Sequence, residues 1–205
     1  MSIKNALKQL NLQVNDRQIN LWHQYIDLLE KWNKAYNLTA IRNKDQMYSH
    51  HLYDSLSIAP FIQGKKIMDV GSGGGFPGIP LCILYPEKEF ILLDSNIKKS
   101  RFQTQAKIEL KLDNLEVVHH RVELYQPSFR IDHVVSRAFT SLEQMLKWCL
   151  HLTDKKGNFL AMKGQYPEEE IKEIKKIYPN YQIDIKNINV PELKSQRHLV
   201  IIHSN

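Results

Sequence analysis

Cysteine is nearly missing from this chain: 205 residues contain only Cys82 and Cys149, each inside an apolar run and in no paired motif. That scarcity excludes a disulfide framework or a cysteine zinc site and leaves both thiols as small buried hydrophobes in a reducing compartment. No apolar run approaches the ~20 residues that span a bilayer. The opening Met1-Ser2-Ile3-Lys4-Asn5 lacks the apolar block of a secretory leader, so a soluble, cytoplasmic protein with no membrane partner is expected. Glycine and proline are sparse, 8 of each, which excludes collagen-like and low-complexity architectures. Acid is also in deficit, 22 Asp and Glu against 28 Lys and Arg. The resulting formal charge of +6 permits a polyanionic partner without requiring one.

What is present reads as one globular unit with a helical N-terminal part. Ile19, Trp22, Ile26, Leu29 and Trp32 recur at three-to-four spacing between Asp16 and Tyr36, predicting an amphipathic helix capped at Asn15 or Asp16. Core packing is the expected role of its aromatic residues, Tyr36 included. A second helix is predicted from Met47 to Phe61. Beyond Gly64, strands at residues 67–70, 90–93, 115–122, 131–136 and 158–162 alternate with helices starting near 77–80 and covering 97–112, 141–152 and 167–178. That alternation predicts a mostly parallel sheet covered on both faces. Two late strands, 181–190 and 198–203, have no helix between them and predict an antiparallel terminal hairpin. The expected organisation is a helical extension over 1–64 and an α/β unit over 65–205.

The segment Asp69-Val70-Gly71-Ser72-Gly73-Gly74-Gly75-Phe76-Pro77-Gly78 joins the first strand to its helix. Glycines there let the backbone turn through positive φ and approach a ligand at the carboxyl edge of the sheet. Two frames compete. Gly73, Gly75 and Gly78 satisfy G-x-G-x-x-G, a dinucleotide signature that would make the chain an oxidoreductase. Asp69 followed by Gly71, Gly73 and Gly75 places an acid ahead of alternating glycines, which suits the cationic amine of S-adenosylmethionine and would repel a pyrophosphate. The acid-first frame is favoured. Asp94, ending the next strand, can bind ribose hydroxyls in either frame, and Glu123, just after the third, can accept from an adenine amino group.

The loop and its extension through Ile79-Pro80-Leu81 closely resemble the glucose-inhibited division protein B family, the bacterial ribosomal RNA small-subunit methyltransferases G. The resemblance continues in Asn37-Leu38-Thr39-Ala40-Ile41, in His51 to Asp54-Ser55-Leu56, in Leu93-Asp94-Ser95-Asn96 with Lys98-Lys99, in Ser136-Arg137-Ala138 and in Lys163-Gly164. It implies a Rossmann-like class I S-adenosylmethionine-dependent methyltransferase fold. It also implies methyl transfer to N7 of a guanine in the 530-loop of 16S ribosomal RNA. Cofactor contacts carried over by the resemblance are Gly71, Phe76, Val122, Glu123 and Arg137, with Asp94 and Ser95 at the ribose. One departure is Arg121-Val122-Glu123, where the family usually reads Arg-Ala-Glu.

That reaction needs no general base, because guanine N7 exposes a lone pair and carries no proton, and no catalytic side chain is expected. The Asn/Asp-Pro-Pro-aromatic motif of exocyclic-amine methyltransferases is missing after the fourth strand, where Val134-Val135-Ser136-Arg137-Ala138 stands. Lys98, Lys99 and Arg101 open a helix, where cations face its positive end, and so are expected to meet RNA phosphates. Lys163 and Arg197 are further candidates for RNA contact. His50 and Asp54, four apart, are read as a polar contact and not as metal ligands, and no metal is expected. The partner is 16S ribosomal RNA or the 30S subunit, and the chain is expected to be a monomer. A catalytically silent RNA-binding module is the remaining alternative.

Overall fold

The computed structural model describes residues 1–204, the side chains of Lys155, Lys156 and Ser204 excepted. Seven strands, β1 (Lys66–Val70), β2 (Glu89–Asp94), β3 (Leu115–His119), β4 (Ile131–Arg137), β5 (Thr153–Lys163), β6 (Tyr181–Asn187) and β7 (His198–Ser204), form one sheet in the order β3-β2-β1-β4-β5-β7-β6. The first five are parallel; β7 runs against both its neighbours. The terminal hairpin is antiparallel as predicted, but its second strand is inserted beside β5 and its first becomes the edge. The reason lies in the side chains. Leu199, Val200, Ile201 and Ile202 are all buried and need cover on both faces, whereas β6 is nowhere fully buried and tolerates an edge.

Helices cover both faces. On one lie α1 (Ile3–Gln9), α2 (Asp16–Tyr36), α5 (Gly78–Leu84) and α6 (Ile97–Leu110); on the other lie α7 (Leu142–Cys149) and α8 (Glu168–Ile177). Strand residues alternate between the two cores, Ile67 and Leu92 facing α2 and its neighbours, Met68 and Leu93 facing α7. The remaining helical segment runs through α3 (Lys44–Met47), a π-helical stretch over Tyr48–Tyr53 and α4 (Asp54–Leu56). It replaces the single regular helix predicted there.

Helix α2 is set by its ends. Asn15 accepts from the Gln18 N–H at 2.9 Å while Gln18 accepts from the Asn15 N–H at 3.0 Å, a reciprocal cap, and Asn37 ends the helix in a left-handed conformation. Its apolar face is the predicted one: Ile19, Trp22, Ile26 and Leu29 are buried. Trp22 donates to the Pro80 carbonyl at 3.2 Å, and Gln18 donates to the otherwise orphaned carbonyls of Ile83 and Leu84 at the end of α5. The helices before residue 64 thus share one apolar core with the sheet. Cys82 and Cys149 are buried, and burial pushes both thiols up to about 12.

Candidate active site

The chain leaves β1 for β2 and β3 on one side, then returns to place β4 on the other, so the carboxyl ends of β1 and β4 border a crevice. The glycine loop lines it and is held from four sides. Gly71 N–H donates to Leu93 O at 2.9 Å, and Gly73 N–H to Asp94 Oδ2 at 2.9 Å. Gln103, on the buried face of α6, donates to both Ser72 Oγ and Gly73 O at 2.8 Å. The Tyr25 hydroxyl of α2 donates to Gly74 O. At Gly73 φ is +59°, and an added Cβ would meet nothing closer than Gly71 O and Lys99 Nζ, both 3.9 Å away. Bare main chain therefore faces open space.

Asp69 holds the loop from beneath. It is fully buried, its Oδ2 accepts from Gly78 N–H at 2.8 Å, and its Oδ1 has no partner among the described residues. Burial pushes its carboxyl up to about 8 against the opposing pull of the Gly78 N–H and of Arg137. Asp69 and Gly75 line neither of the two cavities at this edge. The Asp69 carboxyl holds the start of α5 through the Gly78 N–H and stands behind the loop, away from the cavity walls.

The first cavity, about 260 Å³, is walled by Gly71, Asp94, Ser95, Val122 and Glu123, with Trp148 at one side. Five residues expected at the cofactor meet here. Asp94 is spent on backbone, accepting from Asn96 N–H at 2.8 Å as well as from Gly73, and Lys99 Nζ stands 3.9 Å away. Glu123 accepts from Arg121 Nε at 2.9 Å.

The second cavity, about 550 Å³, opens between the N-terminal helices and the ends of β4 and β5. It shares Gly71, Lys99 and Ala138 with the first, and Thr39, His51, Gly73, Phe76, Arg137 and Arg197 also line it. Arg137, carried over as a cofactor contact, belongs to this wall only. Its Nη1 donates to His50 O at 2.7 Å and Asp54 Oδ2 at 3.1 Å, and its guanidinium lies 4.8 Å over the Phe76 ring. His51 stacks on Phe76 with ring centroids 4.5 Å apart. Its imidazole is lowered to about 3, by burial first and Arg137 second, so it is neutral at pH 7. Its Nδ1 stands 3.1 Å from His50 O and 3.2 Å from Arg137 Nη2, and its Nε2 is 2.7 Å from Thr39 Oγ1, so both ring nitrogens are engaged in the wall.

The candidate RNA contacts divide. Lys98 and Arg101 are exposed on α6, outside both cavities. Lys163 reaches the second cavity, but its ammonium is taken by Glu170 at 2.9 Å and Thr140 O at 3.0 Å. Arg197 Nε is bonded to Asp54 Oδ1 at 3.0 Å. The His50–Asp54 contact is replaced by Asp54 with two arginines. Tyr36 stands outside the predicted core, 42% exposed and stacked on Trp32 at 5.0 Å. Among the described residues no group of His, Cys, Asp and Glu is spaced to hold a metal, and no helix is long and apolar enough to cross a membrane. Sequence reasoning missed Tyr25, Thr39, His51, Asp54 and Gln103 as site residues. For Gln103 a signal existed, an amide between Phe102 and Ala106 on the buried face of a helix.

A family model described as "GidB: rRNA small subunit methyltransferase G" matches residues 18–200. The chain belongs to this family. A ribosomal RNA small subunit methyltransferase G of Pseudomonas syringae pv. tomato is 50% identical over 201 residues, covering 98% of this chain and 94% of that one. Its counterpart in Stutzerimonas stutzeri is 51% identical over 197 residues, covering 95% and 90%. As a member of the rRNA small subunit methyltransferase G family, the chain is a methyltransferase of small-subunit ribosomal RNA with S-adenosylmethionine as its methyl donor. The oxidoreductase reading of Gly73, Gly75 and Gly78 falls with that membership, and Gly78 N–H is already spent on Asp69.

Solved structures agree on the fold. A "SAM dependent methyltransferase" from Aquifex aeolicus superposes with a TM-score of 0.58 at 15% identity, covering 85% of this chain and 97% of that one. A structure described as "cofactor-bound Rv0187 from MTB" gives 0.62 at 14%, covering 94% and 98%. The architecture is the Rossmann-like class I methyltransferase fold, with the N-terminal helices packed onto it.

Proposed function

We propose that the two cavities divide the family's reaction between them, the first taking the adenosyl part of S-adenosylmethionine and the second the target guanine of 16S ribosomal RNA. The observation that carries this reading is their meeting at Gly71 and Ala138, the residues that follow β1 and β4. A methyl group held at that junction faces the larger cavity. Asp94 and Ser95 are assigned to the ribose hydroxyls, Val122 and Glu123 to the adenine edge, and the bare Gly71–Gly73 main chain to the methionine part. Bound S-adenosylmethionine supplies an electrophilic methyl on a sulfonium, and the side chains supply placement.

The target is N7 of a guanine in the 530-loop. N7 needs no deprotonation, and the nearest imidazole, His51, is neutral and hydrogen-bonded in the wall. Alignment alone can supply up to ~7–11 kcal/mol of barrier lowering. The enzyme acts as a monomer in the cytoplasm: one chain furnishes both cavities, and small subunits are the substrate. The test is nucleotide-resolution mapping of small subunits lacking the modification, after incubation with this protein and labelled S-adenosylmethionine. One N7-methylguanine in the 530-loop is expected. Label at another nucleotide overturns the target assignment, and no label in the RNA overturns the reading as a whole.

A further inference from the structure

The wall of the second cavity carries a charge arrangement that methyl transfer does not call for. Asp54 comes from α4, and its side chain is only 3% exposed. Its two oxygens serve two arginines, Oδ2 accepting from Arg137 Nη1 at 3.1 Å and Oδ1 from Arg197 Nε at 3.0 Å. The arginines leave from strands that are not neighbours. Arg137 ends β4, Arg197 precedes β7, and β5 runs between the two. One carboxylate from the N-terminal helices therefore brings together two cations that the sheet alone would keep apart.

Two guanidiniums on one carboxylate leave one positive charge in surplus. The other cations on this wall are matched one to one: Lys163 by Glu170, and Lys99 by Asp94 at 3.9 Å. The surplus is sited by its hydrogen bonds. Arg137 gives its two Nη1 N–H groups to His50 O and Asp54, and its Nη2 stands 3.2 Å from His51 Nδ1. Arg197 gives Nε to Asp54 and Nη1 to Ser195 Oγ at 3.0 Å and Gln196 O at 2.8 Å. Among the described residues its Nη2 has no acceptor, although the side chain lines the cavity and is 22% exposed. A held guanidinium with an open edge, in a pocket with excess positive charge, fits a tetrahedral oxyanion.

We propose that Asp54 is a positioning residue that sets Arg137 and Arg197 as a two-armed seat for a phosphate of the substrate RNA, with Arg197 Nη2 donating to a phosphate oxygen. The inference rests on the proposed placement of the target nucleotide in this cavity. It gives the N-terminal helices a part in substrate recognition. Phosphate contacts fix register and orientation and carry no sequence information, so the seat aligns the nucleotide and leaves base identity to other groups.

The experiment exploits a difference in sign. If Asp54 merely neutralises its arginines, Asp54→Asn adds a positive charge to the cavity and tightens RNA binding. If it positions them, Asp54→Asn weakens binding: KM for undermodified small subunits rises roughly tenfold with kcat within a few-fold of wild type, and S-adenosylmethionine affinity by calorimetry is unchanged. Arg197→Gln should raise KM similarly and reduce the slope of log K against log salt by about one. The double variant should be little worse than either single one, because both act through one seat. Asp54→Glu keeps the charge but shifts it by a methylene, so it weakens RNA binding if geometry matters and leaves it unchanged if only charge does. That variant decides the role of Asp54 should Asp54→Asn not fold. Tighter binding by Asp54→Asn, unchanged binding by Asp54→Glu, or an unaltered salt slope for Arg197→Gln overturns the proposal. Loss of S-adenosylmethionine affinity in Arg197→Gln also overturns it, by assigning the seat to the cofactor's carboxylate. Failure of the wild-type protein to methylate the 530-loop would instead strike the target assignment, and is read separately.

Discussion

At the scale of single residues, Gly73 and Asp69 make opposite use of the same loop. Gly73 presents bare backbone at φ +59° with no atom inside 3.9 Å of where a Cβ would stand, so a side chain there enters the crevice without striking the core. Gly73→Val should therefore lower S-adenosylmethionine affinity at least ~100-fold, about 2.8 kcal/mol. The left-handed backbone adds about 1–2 kcal/mol of strain, so the variant should still fold, with Tm lower by only several degrees. Calorimetric titration beside thermal unfolding checks both halves, and undiminished affinity would move the cofactor elsewhere. Asp69 is the buried counterpart. Its carboxyl is raised from an ordinary 3.8 to about 8, chiefly by burial, so the folded state holds its proton more tightly than the unfolded chain. The contribution to stability is thus fully present below pH ~4 and is lost as pH rises through about 8. Asp69→Asn keeps an oxygen for the Gly78 N–H and removes the titration. Its Tm relative to wild type should climb between pH 4 and 8 and level off above, as thermal unfolding at pH 5, 7 and 9 can show. A difference independent of pH would mean that Asp69 keeps its charge in the fold.

At the scale of elements, the reciprocal cap of Asn15 and Gln18 starts α2 and also braces the end of α5 through the Gln18 side chain. Asn15→Ala should cost about 1 kcal/mol, or ~2–4 °C in Tm for a chain of this size, with methyl transfer unaltered at temperatures where the protein is folded. An unchanged Tm would assign the start of the helix to packing alone. The start of α2 was legible in the sequence to within Asn15 or Asp16, without the Gln18 half of the cap, as were the stripe of Trp22 and the alternation of strands with helices, because each is written in neighbouring residues. The glycine loop and the strand-tip acids Asp94 and Glu123 were legible for the same reason, as a local pattern of polar residues ending strands, whereas Ser95 and Val122 came only from the family resemblance. Asp54 was not, since its partners lie 83 and 143 residues away and only the order β4-β5-β7 brings them near it. Tyr25 was hidden in another way. It sits in a stripe of core aromatics and looks like one, and its hydroxyl turns functional only where α2 passes over Gly74. The insertion of β7 beside β5 left a trace in the unbroken apolar run from Leu199 to Ile202, against the alternating β6.

At the scale of the whole molecule, the surplus of six positive charges is informative through its placement. Many of the charges are cancelled locally: Lys163 by Glu170, Lys172 by Glu168 and Glu169, Lys66 by Glu89. Lys98 and Arg101 are exposed and form no ion pair among the described residues, and Lys99 stands at the long distance of 3.9 Å from Asp94. All three belong to the first turns of α6, the helix that leaves the same carboxyl edge that carries both cavities, so the unpaired charges of Lys98 and Arg101 flank the crevice, with Lys99 facing Asp94 between them. A polyanion drawn to that edge releases counterions for each phosphate it pairs, which makes its affinity salt-dependent. Replacing Lys98 and Lys99 together by Ala should weaken binding of undermodified small subunits about tenfold near 0.1 M salt and cut the slope of log K against log salt by roughly one unit for each phosphate left without its lysine. S-adenosylmethionine affinity should change little for Lys98, which lies outside both cavities, and somewhat more for Lys99, which lines them. Single substitutions separate the two. An unchanged slope in the double variant would make these lysines a solvated helix face and shift the search for the RNA path to Arg101 and the exposed, stacked ring of Tyr36.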